Sequence, residues 1–175
     1  KNLLLSHILD ARQLPRILIF CSRKTTVKEL DRQLRKDGRK VESIHSDLEQ
    51  NERESGLLKF RNKEINILIA TDVLSRGIDI ENINLVINYD VPQDPEDYVH
   101  RIGRTARAET DGIAFTLVNE DDQRKFSRIE NLIGKSIRMV KLPSSIGEGP
   151  VYDAKHPKSS PRERGGGGGR RKVRR

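Results

Sequence analysis

Residues 100–107 read His-Arg-Ile-Gly-Arg-Thr-Ala-Arg. Arg101, Arg104 and Arg107 recur at i, i+3 and i+6, the spacing that turns side chains toward one side of a helix. A guanidinium keeps its charge at any physiological pH and donates several hydrogen bonds in a fixed fork. Three of them on one side repel unless something anionic lies opposite. A triphosphate undergoing phosphoryl transfer is such an anion, because charge on the transferred group must be neutralised in the transition state. The same spacing also fits a solvated basic face of a surface helix. Gly103 between the arginines, together with the strand-end residues upstream, favours the phosphate reading.

The elements that must carry these residues are legible as alternating periods. Ile17 to Cys21 is a continuous apolar run after Pro15, as in a strand buried on both faces. A helix period follows over Thr25 to Asp37, with Val27, Leu30 and Leu34 on one face and Gly38 as its stop. Strands are expected at 41–44, 65–70, 85–89 and 113–118. Helices are expected at 50–61, from Pro95 onward and at 121–133. This alternation predicts an α/β fold with a parallel sheet covered by helices. Ligands of such sheets sit beyond the carboxyl ends of the strands. Ser22-Arg23, His45-Ser46-Asp47 and Thr71-Asp72 fall at those ends.

Ala70 to Ile80 (Ala-Thr-Asp-Val-Leu-Ser-Arg-Gly-Ile-Asp-Ile), followed by Tyr98 to Arg107, resembles the second RecA-like domain of a DEAD-box RNA helicase. Ile19-Phe-Cys-Ser-Arg23 resembles motif IV of that family, and His45 through Arg53 its Gln-x-x-Arg element. The likeness covers roughly residues 1–142. It implies a RecA-like parallel sheet with helices on both faces, and half of an ATP-dependent RNA-unwinding core. Arg104 and Arg107 would be the arginine fingers reaching the γ-phosphate of ATP. Asp79, with Gly77 beside it, would hold the ribose. Thr71, Arg53, Gln50, Ser22 and Arg23 would meet the RNA, while His100, Arg101 and Arg76 would face an N-terminal RecA-like partner domain. Thr71 is also a good helix N-cap, and Asp79 a good surface-turn residue. The phosphate loop and the Mg²⁺ ligands would belong to that partner domain, and no metal ligand is assigned to this chain. Two departures stand out: Ala106 and Ser46 occupy positions where the family has glycine. A non-catalytic RNA-binding module of the same fold and half of a DNA helicase are the alternatives, since phosphate and sugar contacts carry no base information.

The bulk numbers set bounds. The 175 residues hold 34 basic and 26 acidic side chains; nine basic and one acidic fall within 155–175, leaving 25 and 25 in the rest. The domain is therefore neutral, and the basicity belongs to the end of the chain. Residues 1–143 are expected to fold and 144–175 to form a disordered basic tail rich in Gly, Arg and Lys, suited to a polyanion. Five consecutive glycines, Gly165–Gly169, lie within it. The lone Cys21 excludes an internal disulfide and reads as a buried thiol. No run approaches a membrane-spanning length. The opening Lys-Asn-Leu-Leu-Leu lacks an initiator methionine and a cleavage signal, and reads as part of a longer protein. A cytoplasmic monomer is expected. Gly134-Lys135-Ser136 imitates the end of a phosphate-binding loop, but Ile129 stands where the loop needs glycine.

Overall fold

The computed structural model describes residues 1–12, 14–72, 80, 83–105 and 112–153. Its elements are α1 (Asn2–Ala11), β1 (Ile17–Phe20), α2 (Lys24–Lys36), β2 (Val41–Ile44), α3 (Gln50–Arg61), β3 (Ile67–Ala70), β4 (Leu85–Asn88), α4 (Pro95–Ile102), β5 (Ile113–Thr116) and α5 (Gln123–Ile133). Among the described residues the strands form one sheet in the order β2-β3-β1-β4-β5, with every pair parallel. Helices cover both faces, as the alternation predicts.

The central strands β1 and β3 are apolar throughout, and β4 is apolar up to Asn88, because both of their faces are covered. Ile17 and Ile19 of β1 join Val41, Ile67, Ile69, Leu85 and Ile87 on one face, beneath Leu5 and Leu9 of α1 and Val27, Leu30 and Leu34 of α2. Leu18 and Phe20 join Ile44, Leu68, Ala70 and Val86 on the other face, against Leu57 and Phe60 of α3. Each Val, Leu, Ile or Phe side chain among them contributes about 1.5–3 kcal/mol on burial, so these two layers dominate the stability.

A third cluster holds α4 and α5 together through Val91, Tyr98, Phe126 and Ile129. It extends past the boundary expected from sequence. The Tyr152 ring meets Phe126 edge-on at 5.5 Å, and its hydroxyl donates to Glu130 Oε2 at 2.5 Å. Gln123 Nε2 donates to the Val151 carbonyl at 2.8 Å. Composition placed the end of the packed domain at residue 143, yet a single aromatic ring draws 151–153 back onto α5. Residues 154–175 lie outside the described residues. α1 is a further element that the sequence reading did not anticipate. α5 ends at Gly134 with φ 68°, a left-handed helix stop that accounts for the Gly-Lys-Ser imitation.

Candidate functional site

The register places all five strand ends on one level. Phe20 pairs with Ala70 and with Asn88, Ile44 with Ala70, and Asn88 with Thr116. The residues that follow therefore emerge along a single edge of the sheet. The ladder continues one residue further: Cys21 N–H donates to Ala70 O at 2.9 Å, Tyr89 N–H to Phe20 O at 2.9 Å and Thr71 N–H to Ile44 O at 3.3 Å. Thr71 is thus held by the sheet. Ser22, Arg23 and Ser46 are exposed on the same edge. Cys21 is buried, and that burial raises its thiol pKa well above the usual range. It is an inert core group.

Arg101 is the hub of this edge. Its side chain is fully buried, although it is the largest side chain in the core. Nε donates to Asp72 Oδ1 at 2.7 Å, and Nη2 lies 2.6 Å from the same oxygen as an ion pair. Nη1 donates to Asn88 Oδ1 at 3.2 Å and to the Asp90 carbonyl at 3.0 Å. The guanidinium carbon stands 5.0 Å from the centre of the Phe20 ring. One cation thereby joins the ends of β1, β3 and β4. Asn88 carries the connection on to β5 by donating to Thr116 Oγ1 at 3.2 Å.

This geometry changes one expectation. Arg101 and Arg104 do not share a helix face, because α4 ends at Ile102 and Arg101 points inward. Arg101 donates from Nε and Nη1 to groups of its own domain. Arg104 follows in the turn, half-buried, with its N–H donating to the Arg101 carbonyl at 3.2 Å. His100 is exposed at the end of α4. Gly112 is required opposite that turn, since a Cβ there would fall 2.2 Å from Thr105 Cβ and 2.3 Å from its carbonyl oxygen. Arg76, Gly77, Asp79, Ala106 and Arg107 lie outside the described residues.

The other side of the edge is built by the turn between β2 and α3. His45 is buried there, and burial, assisted by Lys28, holds its pKa below the ordinary 6.5. α3 opens with Glu52 Oε2 accepting the Glu49 N–H at 2.9 Å. Gln50 is exposed and donates to Glu54 Oε1 at 2.8 Å. Arg53 is half-buried; its Nη2 reaches the Ser46 carbonyl at 3.4 Å, and its buried Nε has no partner among the described residues. Ser22 donates its backbone N–H to Asp90 Oδ2 at 3.0 Å.

Sequence reasoning missed Asn88 and Asp90 as the acceptors that receive Arg101. A signal for Asn88 was present: it is a polar residue closing the otherwise apolar run Leu85-Val-Ile. Among the described residues, no group of three or more His, Cys, Asp or Glu is arranged to hold a metal.

An aligned strand-end edge, a switch of strand order beside β1 and an arginine-bearing turn after α4 define the class: a RecA-like domain. The family model of the helicase conserved C-terminal domain matches residues 1–109, and the chain belongs to that family, in its DEAD-box branch. It is 49% identical over 120 residues to the ATP-dependent RNA helicase dbp8 of Neosartorya fischeri, covering 69% of this chain and 23% of that protein. The chain thus spans about a quarter of the length of that curated relative. Its structure is similar to that of the E. coli DEAD-box protein SrmB bound to regulator of ribonuclease activity A, with TM-score 0.79 and 30% identity over 86% of this chain and 88% of that one. It is also similar to S. cerevisiae Dbp5 bound to RNA and ADP BeF3, with TM-score 0.73 and 34% identity over 81% of this chain and 38% of that one.

Proposed function

We propose that this domain is the C-terminal half of the catalytic core of an ATP-dependent RNA helicase. In that reading it supplies arginine fingers and RNA-backbone contacts to a site completed by an N-terminal RecA-like domain. The observation that carries it is the Arg101 hub. By joining Asp72 to the ends of β1 and β4, the hub fixes Thr71 on one side and the Arg104 turn on the other. A catalytic guanidinium must be preorganised to be effective, and here its chain neighbour is anchored in the core. The likeness to Dbp5 bound to RNA and ADP BeF3 supports both ligand classes.

Arg104 and Arg107 would hold the terminal phosphate of ATP, and Asp79 the ribose. ATP, with Mg²⁺ held by the other domain, supplies the hydrolysable anhydride. Thr71, Arg53, Gln50, Ser22 and Arg23 would bind the RNA backbone, and His100 faces solvent where a partner domain can reach it.

The test joins this chain to the N-terminal RecA-like domain of the same protein and measures RNA-stimulated ATP hydrolysis. The chain alone is expected to show no turnover. In the joined enzyme Arg104→Ala should lower kcat by about 10² or more while RNA binding persists. A kcat within about twofold of wild type would overturn the finger assignment.

A further inference from the structure

Lys24 and Lys28 stand one helical turn apart on α2, so their ammonium groups share a side. Asp47, from the turn between β2 and α3, lies between them. Its Oδ1 accepts from Lys24 Nζ at 2.7 Å and its Oδ2 from Lys28 Nζ at 2.8 Å. Both carboxylate oxygens are therefore engaged, one by each lysine. The first turn of α2 contains no acidic residue, and Arg23 precedes it. Cations at that end oppose the helix dipole, so they are not there to stabilise the helix. Arg53 reaches the same turn through a long 3.4 Å bond to Ser46 O, and its Nε has no partner among the described residues.

We propose that Lys24 and Lys28 form a phosphate-binding pair for single-stranded RNA, and that Asp47 is a resident counter-ion which an RNA phosphate displaces. This rests on the RNA-binding reading above and adds to it two contacts and a regulator. The chemistry matches, because a backbone phosphate also presents two non-bridging anionic oxygens. The exchange is cheap. The lysine side chains are 52% and 49% exposed and the carboxylate 37%, so water screens the pairs and they hold the fold only weakly. Once displaced, Asp47 keeps its charge beside the RNA and lowers affinity. With the two lysines in place its pKa is held at about 2, so it competes with equal strength across the neutral range.

The experiment measures binding of the 175-residue chain to a fluorescein-labelled oligouridine by anisotropy at a series of salt concentrations. Lys24→Gln with Lys28→Gln should weaken binding about tenfold and reduce the log–log salt slope by about 0.7, the contribution of one phosphate contact on a single strand. Asp47→Asn should tighten binding about 3- to 10-fold in the natural background, and change it less than about twofold once both lysines are glutamine. Asp47→Ser should behave as Asp47→Asn does. If Asp47→Asn tightens binding equally in both backgrounds, its effect is diffuse charge and the proposal is wrong. If it weakens binding, Asp47 positions the turn and the proposal is wrong again. Arg53→Gln separates the two levels of argument. Binding that is lost with Arg53→Gln but shows no coupling between Asp47 and the lysines sinks this inference alone. A wild-type chain that binds no RNA at any salt concentration sinks both.

Discussion

Two ion networks stand along one edge of the sheet, built from the same charges with opposite consequences. At Arg101 a guanidinium with no exposure meets Asp72, Asn88, the Asp90 carbonyl and the Phe20 ring. At Asp47 a carboxylate meets two lysines that are each about half exposed. Distances do not distinguish them: 2.6 and 2.7 Å in the first, 2.7 and 2.8 Å in the second. Burial does. A charge removed from water requires its partners, whereas an exposed pair can exchange its partner for water or a ligand at little cost. The first network therefore holds the edge together, and the second is free to respond to what binds there.

The sharpest way to test this contrast is to remove Arg101. Arg101→Ala should destabilise the domain by about 3 kcal/mol, read from urea denaturation. The low end of the usual range applies, because the Asp72 side chain is 35% exposed and keeps some hydration. Loss of packing on Phe20 adds to the effect. A change below about 0.5 kcal/mol would mean that burial does not separate the two networks. Next in size is Asn88→Ala, which strips the acceptor from Arg101 Nη1 and the donor from Thr116. It should cost about 1–3 kcal/mol in the same assay.

A smaller effect comes from His45, which sits between the two regimes: its ring is buried, while Lys28 and Asp47 lie at the surface nearby. Burial depresses its folded pKa below the ordinary 6.5, so the neutral ring is favoured in the native state. The stability this contributes is complete above about pH 6.5 and is lost as pH falls through that value toward the folded pKa. Melting temperatures should fall on acidification from pH 7 to 5, and His45→Asn should flatten that fall. An identical pH dependence in the variant would assign the acid sensitivity to other groups.

How much of this was legible in the sequence follows from the range of the interactions. The strands and the two-faced core are encoded locally, as short segments between helix periods: 17–20 and 67–70 are apolar runs, 41–44 has apolar residues only at its two ends, and all three fall where the pattern puts them. Spacing and resemblance nominated the candidate site residues, and the positions of Ser22, Arg23 and Thr71 just past strand ends were legible. The orientation of Arg101 was not. Its acceptors come from just past β3, from β4 and from the turn after β4, 11 to 29 positions away in the chain. No helical-wheel argument reaches that far, so three equally spaced arginines look equivalent until the sheet places an Asp, an Asn and a phenyl ring around the first. The Asp47 bridge was hidden for the same reason: Lys24 and Asp47 are 23 positions apart and meet only because β2 returns the chain to the edge where α2 begins. Tyr152 eluded the composition argument because one ring outweighed a polar neighbourhood.

The smallest predicted effect completes the comparison. Asp47→Asn should leave the melting temperature at neutral pH and physiological salt within error of wild type, because both lysines regain water and no buried charge is left alone. Any difference should shrink further as sodium chloride is raised, whereas the loss caused by Arg101→Ala should persist, since salt screens exposed pairs far more than buried ones. The pH dependence offers a second readout. The lysines hold the Asp47 carboxyl near 2, below its ordinary 3.8, so whatever stability the bridge contributes is present above about pH 4 and is lost only as pH falls toward 2. Between pH 5 and 8 the wild type and Asp47→Asn should therefore melt in parallel, while His45→Asn diverges from both. If Asp47→Asn instead melted far below wild type at every salt concentration, the carboxylate would be a structural tie like Asp72. It would then not be free for a phosphate to displace.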